Sequence, residues 1–299
     1  MILLALLLAA AASAQTREVA LTFDDLPSAG DVTPAEAEAI NRAIVAELGK
    51  HRAPAVGFVN EKAGERIGTA RWERILNGWL DAGLELGNHT FAHLDLNDLR
   101  PEEFERQVIL GEAVFARLLA KRGAKPRYLR FPFNHIGGTE DSRKAAATFL
   151  ASRGYEIAAC TIDTSDYEFS RAYDAALAAK DAAAARIERE YLDYTAVQIA
   201  YYDKLNAQVL GRTAPHVMLL HANRLNAAVL ARILEIFEAR AFRFVALEKA
   251  QADPAYAIEV AANKFGPMWG YRWARTMRVK VNGAAEMEPS EWIRRYGRK

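Results

Sequence analysis

Two histidines four residues apart and a pair of adjacent aspartates are the side chains of this sequence best suited to chemistry. The histidines are His89 and His93, and Asp24 and Asp25 follow the apolar run Val19–Phe23. Imidazoles and carboxylates are common zinc ligands, and a set of three leaves positions open for water and substrate. A further carboxylate beside such a set can take a proton from the attacking water. The pattern therefore predicts a metal-dependent hydrolase.

The local structure at these positions decides whether the side chains converge. If the segment after Gly87 turns helical, both imidazoles project from one side of the helix and can share one ion. Adjacent residues of a strand point to opposite faces, but Leu26-Pro27 is expected to end the strand here. One aspartate then binds the ion while its neighbour stays free to act as a base.

Three later positions add a guanidinium, an amide and a second proton carrier. Arg130 ends an apolar strand, where it would hold a carboxylate by bidentate hydrogen bonds. Pro132 fixes the backbone that follows, so that the Phe133 amide can point at a developing oxyanion. His221 also ends a strand, and near a carboxylate such as Asp166 it would stay protonated and give a proton to a leaving nitrogen.

Short apolar runs that alternate with longer helical patterns must position these groups. The predicted strands are Val19–Phe23, Ala55–Val59, Leu84–Leu86, Tyr128–Arg130, Glu156–Ile162, Val217–Leu220 and Phe242–Ala246. The predicted helices lie at about 34–50, 70–82, 101–122, 140–153, 171–209 and 225–240. Such alternation indicates a parallel sheet wrapped by helices. Seven strands suit a barrel one unit short of (β/α)₈, in which the chemistry collects at the carboxyl ends of the strands.

Two segments do not fit the simple repeat. The Ala-rich stretch 171–209 is far longer than one barrel helix, and we expect a helical excursion over the barrel mouth whose tyrosines serve in packing. The tail Lys264–Lys299 carries nine Lys or Arg against three Glu, with tryptophans interleaved. We interpret it as a solvated basic edge, with contact to an anionic cell-wall polymer as the alternative.

Composition bounds the size, partners and compartment of the protein. A chain of 299 residues that is 51% hydrophobic can bury one large core, and a net charge of +1 predicts no nucleic-acid partner. Met1–Ala14 is apolar and ends in Ala12-Ser13-Ala14, which predicts a signal peptide at 1–14, and hence a periplasmic or secreted protein without a stable membrane span. A buried first strand or helix is the alternative. The single Cys160 is expected to be a buried small hydrophobe.

The ordered set of motifs resembles the polysaccharide deacetylase superfamily, carbohydrate esterase family 4, also described as the nodulation-protein-type deacetylase domain. The motifs are Leu21-Thr22-Phe23-Asp24-Asp25, His89-Thr90-Phe91-Ala92-His93, Arg130-Phe131-Pro132-Phe133, Asp163-Thr164-Ser165-Asp166-Tyr167 and Leu219-Leu220-His221. The resemblance covers roughly Val19 to Ala246. It implies an α/β fold, a distorted (β/α)₇ barrel at 15–250 with the helical insertion, and a C-terminal extension at 251–299.

The resemblance also assigns roles to single residues. Those implied in catalysis are Asp24 as general base, Arg130 orienting it, His221 as general acid and Asp166 as the partner of His221. The implied metal ligands are Asp25, His89 and His93. On the substrate side they are Phe133 as oxyanion donor through its amide, Tyr167 in the wall, Leu219 lining the acetyl pocket, and Thr90 hydrogen-bonding the histidine loop. The cofactor is one divalent ion, expected to be Zn²⁺, with Co²⁺ or Ni²⁺ as alternatives.

Three departures from the family motifs concern the substrate. Leu26 replaces the usual glycine, Tyr167 the usual tryptophan and Phe133 the commoner tyrosine, so the floor and wall of the sugar site are expected to differ. We predict an exported deacetylase that removes an N-acetyl group from an amino sugar or polysaccharide, with a metal-bound water activated by Asp24 and a proton supplied by His221. The alternatives are an O-acetyl esterase or small-amide hydrolase on the same site, and a catalytically silent carbohydrate-binding protein.

Overall fold

The computed structural model describes residues 17–298, so the predicted signal peptide lies outside the described part. One sheet contains the strands β1 (Arg17–Leu26), β2 (Ala55–Val59), β3 (Glu85–Asn88), β4 (Tyr128–Leu129), β5 (Glu156–Ile157), β6 (His216–His221) and β7 (Phe242–Phe244). Their order is β5-β4-β3-β2-β1-β6, with β7 also paired to β1, and every pairing is parallel. All carboxyl ends therefore meet at one edge, where the predicted chemistry lies.

The sheet curves into a half-barrel, which confirms the predicted distorted barrel. Beyond β5, Ile162 forms an isolated parallel bridge to Met218 of β6. The strand predicted over Glu156–Ile162 is much shorter because side chains use the backbone groups that follow it. Gln251 accepts a hydrogen bond from the Ala159 amide at 2.7 Å, and Arg130 donates to the carbonyls of residues 158 and 159.

Helices surround the sheet. They are α1 (Pro34–His51), α2 (Glu61–Glu65), α3 (Thr69–Asp81), α4 (Pro101–Gly111), α5 (Ala113–Ala120), α6 (Glu140–Ser152), α7 (Asp166–Ala178), α8 (Ala183–Leu210), α9 (Arg224–Ala239), α10 (Leu247–Gln251), α11 (Trp269–Thr276) and α12 (Glu291–Tyr296). Thr33 caps α1 in a capping box with Glu36, and Pro34 occupies its first position. The helix predicted at 101–122 is two helices, which meet at Glu112.

The long predicted helix at 171–209 is also two helices, α7 and α8. Tyr191, Tyr194 and Tyr202 of α8 are buried in the main hydrophobic cluster, which confirms that these tyrosines serve in packing. Asn206 near the end of α8 hydrogen-bonds the Thr161 carbonyl, so α8 returns beside β6 in the outer helical layer. The prediction of an excursion over the barrel mouth is therefore wrong for α8, because its apolar residues complete the core.

The C-terminal extension also joins this core. Trp269 and Trp273 of α11 and Ile293 of α12 belong to the main hydrophobic cluster, so the interpretation of the tail as a solvated edge is wrong for these helices. Cys160 is free and buried, as predicted. Among residues 17–298, no helix is both long enough and apolar enough to cross a bilayer.

Candidate metal centre and active site

The end of β1 directs two consecutive carboxylates to the same place. The register of β1 against β2 shifts between Phe23 and Leu26, and Asp25 has a left-handed φ of 64°. Such a bulge rotates one side chain relative to regular alternation. The His89 Nε2 atom consequently lies 3.8 Å from Asp24 Oδ2 and 3.5 Å from Asp25 Oδ1. The convergence that we expected from the end of the strand thus comes from an irregularity within it.

His89 and His93 reach the same centre from the loop after β3. The segment is not helical, and the helix considered for it is wrong, because Thr90 and His93 both have left-handed backbone angles, with φ of 64° and 53°. The two ring centroids still lie 4.8 Å apart, and His93 Nε2 is 3.5 Å from Asp25 Oδ1. Together with Asp25 they form a group of possible ligand atoms, all within 4.8 Å of one another.

The protonation states of this group suit a cation. Asp25 Oδ1 is buried and has no hydrogen-bond partner in the structure. Burial raises the pKa of Asp25, but the two imidazoles outweigh it and hold that pKa below its usual value. Burial and the neighbouring His89 lower the pKa of His93, which favours the neutral ring. His89 Nδ1 lies 2.8 Å from the Arg130 carbonyl, which as an acceptor fixes the tautomer that leaves Nε2 free to bind a metal.

Thr90 does not play the part expected of it. Its hydroxyl is buried and has no hydrogen-bond partner, so the predicted bond from this side chain to the histidine loop is not formed. Instead, the Thr90 amide donates to Asn88 Oδ1 at 2.8 Å. Asn88 also donates to the Val108 carbonyl, and through these bonds it ties the loop to α4. Only its position before the first histidine could have indicated Asn88 in the sequence.

Arg130 holds Asp24 inside the sheet. Its guanidinium is 1% exposed, and Nη1 lies 3.3 Å from both carboxylate oxygens of Asp24. One nitrogen is therefore shared by both oxygens, in place of the two-nitrogen pairing that we predicted. Nη2 donates to Thr22 Oγ1 at 3.1 Å, and the guanidinium carbon lies 4.9 Å from the centre of the Phe58 ring. These contacts leave Asp24 oriented beside the ligand group.

His221 and Asp166 form a second polar pair at the same edge. Asp24 of β1 pairs in register with His221 of β6. His221 Nδ1 lies 2.7 Å from Asp166 Oδ1, and the His221 amide donates to Asp166 Oδ2 at 2.8 Å. Burial lowers the pKa of His221, but the Asp166 charge and hydrogen bond outweigh it and raise this pKa to about 10. The ring is therefore protonated at neutral pH.

Two asparagines that the motifs do not include support this pair. Asn226 donates to Asp166 Oδ2 and, at 2.8 Å, to the His221 carbonyl. Asn223 caps α9 by accepting from the Asn226 amide at 2.7 Å. In the sequence, Asn223 is recognisable as a helix cap two positions after His221. A search for helix starts detects it, but does not indicate that it contacts Asp166.

The residues expected on the substrate side surround the polar groups. Phe133 is 55% exposed, and its ring centre lies 4.7 Å from that of His93. The backbone of Phe133 is left-handed with φ of 57°, a conformation that costs a residue of this type about 1–3 kcal/mol. Tyr167 is 47% exposed, with its ring 6.5 Å from that of His221. Leu219 lies two residues before His221 in β6 and so shares its face of the sheet.

The parallel sheet places this chain among the barrel-like α/β proteins. Its carboxylates and imidazoles lie at the carboxyl ends of the strands. Within this class, the polysaccharide deacetylase family model matches residues 11–154. This match supports the family resemblance that the motifs predicted, over a little less than half of the chain. The match includes the motifs up to Phe133, whereas Asp166 and His221 lie beyond it and reach the site through the fold.

A curated relative and two solved structures show what the chain is similar to. It is 28% identical to the peptidoglycan-N-acetylglucosamine deacetylase of Bacillus cereus over 151 residues, 50% of this chain and 46% of that protein. The chain thus spans about half the length of that curated relative. The peptidoglycan deacetylase PdaC from Bacillus subtilis has a TM-score of 0.53 at 18% identity, covering 81% of this chain and 95% of its own.

BA3943 from Bacillus anthracis, a pseudoenzyme of carbohydrate esterase family 4, has a TM-score of 0.55 at 15% identity, covering 79% of this chain and 66% of its own. At these identities the two structures establish the shared fold. Because the fold also occurs in a pseudoenzyme, activity must be argued from the residues of this site.

Proposed function

We propose that the protein hydrolyses N-acetyl groups on the amino sugars of a polysaccharide, with a polymer of peptidoglycan type as the first candidate. The name of the Bacillus cereus relative supports this choice of substrate. The observation that carries the proposal is the different environment of two adjacent carboxylates. Asp25 presents a buried, unpartnered oxygen to two imidazoles, whereas Asp24 is held by Arg130 beside them.

Asp25, His89 and His93 fit a divalent ion. The unpartnered Asp25 Oδ1 lies 3.5 Å from the Nε2 atom of each histidine, and one carboxylate with two imidazoles suits Zn²⁺, with Co²⁺ or Ni²⁺ as alternatives. When bound, such an ion polarises the acetyl carbonyl and lowers the pKa of water.

The remaining residues divide the proton transfers. Asp24, oriented by Arg130, takes a proton from the water whose oxygen attacks the acetyl carbon. The Phe133 amide donates a hydrogen bond to the acetyl oxygen as charge develops there. His221 enters the reaction protonated because of Asp166, and gives its proton to the nitrogen as the C–N bond breaks. The products are acetate and a free amine.

The proposal includes export of the protein to the periplasm or the medium. It rests on the small-x-small sequence at Ala12-Ser13-Ala14. Mass spectrometry of the protein recovered outside the cytoplasm tests it, with Gln15 expected as the first residue. Recovery only from the cytoplasm with Met1 retained would contradict it.

Acetate release from a panel of acetylated substrates tests the activity. The panel contains peptidoglycan, N-acetylglucosamine oligomers, an O-acetylated polysaccharide and a small acetamide, each with Zn²⁺-loaded protein. We expect release from the amino-sugar substrates, and Asp24→Asn is the control for contaminating activity. Release from the O-acetylated polysaccharide alone indicates an esterase. Retained polymer binding without any release indicates a silent binding protein, and one structural neighbour of this fold is a pseudoenzyme.

A further inference from the structure

The turn that carries Phe133 needs support from outside itself. Phe133 and the next residue, Asn134, both have φ of 57°, in the left-handed region. The hydrogen bonds within the turn run from the Asn134 and His135 amides to the Phe131 and Pro132 carbonyls. Neither bond uses the Phe133 amide. Two successive left-handed residues other than glycine persist only where surrounding contacts hold them.

The C-terminal extension supplies those contacts. Asn134 Nδ2 donates to the carbonyls of Gly266 and Pro267 at 3.2 and 3.1 Å. Arg272 closes the ring, since its Nη2 donates to the Asn134 carbonyl at 2.7 Å and its Nε to the Pro267 carbonyl at 3.0 Å. The chain segments 131–134 and 266–272 are thereby joined by hydrogen bonds from both sides.

Gly266 lies directly against the same turn. A Cβ atom at this position would sit 1.9 Å from the Phe133 carbonyl oxygen, so no other residue fits without moving the turn. The segment that carries Gly266 is itself anchored at both ends. The Asn263 amide donates to the Gly137 carbonyl at 3.0 Å, and the Trp269 amide to the Cys160 carbonyl at 2.7 Å.

Arg272 is an unusual residue for a purely structural link. It is 3% exposed, and among residues 17–298 it forms no ion pair with a carboxylate. Its Nη1 is buried without a hydrogen-bond partner, and its guanidinium carbon lies 5.0 Å from the centre of the Trp269 ring. A buried cation without an anion is costly, and neutral side chains can pack a helix against a turn without that cost.

We propose that Arg272 and Gly266 are positioning residues that hold the Phe133 amide where it meets the acetyl oxygen. The inference rests on the proposed function, because it requires that amide to act as the oxyanion donor. It assigns the extension a part in the reaction, although the family model ends at residue 154. Arg272 acts through Asn134, and Gly266 through its contact with the Phe133 carbonyl.

Kinetics of Arg272→Met and Arg272→Lys test the proposal. Displacing an oxyanion donor reduces mainly the rate of the chemical step, so we expect kcat to fall by about 10- to 100-fold in Arg272→Met with KM changed less than about twofold. A tetrahedral phosphonate analogue should bind more weakly by a similar factor, and Arg272→Lys should recover part of the loss. Arg275→Met, at an exposed basic residue of the same helix, is the matched control and should resemble wild type. Unchanged kcat in folded Arg272→Met would overturn the proposal.

Gly266→Ala covers the case in which Arg272→Met fails to fold. It should give the same loss confined to kcat, with normal metal content, whereas Gly283→Ala, where a Cβ would make an ordinary contact at 3.6 Å, should not. Amide hydrogen exchange gives a readout independent of activity. Exchange in residues 131–135 should accelerate in Gly266→Ala while that in residues 89–93 stays the same, and unchanged exchange in the turn would refute the positioning. An inactive wild type would refute the proposed function, and exchange would still decide whether the extension holds the turn.

Discussion

Replacing Asp166 by asparagine should remove the charge that keeps His221 protonated. In the wild-type protein the pKa of His221 is raised to about 10, since the Asp166 charge and hydrogen bond outweigh burial. Without that charge, we expect the pKa to fall toward or below the ordinary value of about 6.5. At about pH 8, such a histidine is only about 3% protonated, which corresponds to a loss of roughly 30-fold in acid catalysis.

The surroundings of Asp166 add to this loss. Its Oδ2 atom accepts hydrogen bonds from three N–H groups, those of the His221 amide, Asn223 and Asn226. An asparagine must either present its own N–H₂ group to these donors or turn it toward His221 Nδ1. The first choice sets an N–H₂ group against three donors, and the second favours the neutral ring with its proton on Nε2, so we expect a total loss in kcat of about 10²- to 10³-fold at about pH 8.

Two measurements check this prediction. The pH profile of kcat should lose its activity at high pH first, so that the deficit of Asp166→Asn shrinks toward about pH 6. Long-range ¹H–¹⁵N spectra of metal-free protein should show the pKa of His221 lowered by several units. Asp163→Asn is the matched control, because Asp163 lies in the same motif and accepts a hydrogen bond from Ser165, not from His221. A lowered pKa with an unchanged pH profile in Asp166→Asn would refute the assignment of His221 as the acid, and an unchanged pKa would refute the part played by Asp166.

Asp24→Asn should keep its metal and lose about 10²- to 10⁴-fold in kcat, whereas Asp25→Asn should lose metal as well; equal metal content in the two variants would contradict these roles. Chelation should abolish acetate release and added Zn²⁺ or Co²⁺ restore it, and His93→Ala should purify with far less than one metal per chain by elemental analysis. Burial raises the pKa of Glu61 to about 7 from 4.5, so the folded state holds a proton that the unfolded chain releases. Glu61 should therefore lower the free energy of unfolding by as much as about 3 kcal/mol between about pH 4.5 and pH 7, and urea melts of Glu61→Gln, which still accepts from Trp72, should lack this contribution.

Most strands and helices could be predicted because their apolar periodicity and end signals agree. β2 has the predicted bounds, and α1 begins at Pro34, as predicted. The end of β5 could not be predicted in this way. It depends on Gln251, which hydrogen-bonds a backbone amide 92 residues away in the sequence. It also depends on Arg130, which hydrogen-bonds two backbone carbonyls 28 and 29 residues away.

In the candidate site, too, some features could be predicted from the sequence and others could not. Motif order indicates which side chains converge, and the structure brings Asp24, Asp25, His89, His93 and His221 together. It does not indicate how the backbone achieves this, because the residues at positions 25, 90 and 93 are of types that adopt left-handed angles only in a small minority of cases. The contacts of Arg272 could not be predicted from the sequence for a different reason. Its contact with residue 134 spans 138 positions and lies in a tail whose charge pattern indicated solvent.

The possible metal ligands and the pair of His221 and Asp166 depend on different parts of the sheet. A mutation can therefore affect one group without affecting the other. Asp25, His89 and His93 come from β1 and the loop after β3, whereas His221 and its partner come from β6 and the start of α7. A lineage can therefore lose proton donation by a single substitution while the cation-binding group stays intact. The proposed activity can then be lost while the fold and the possible metal ligands remain.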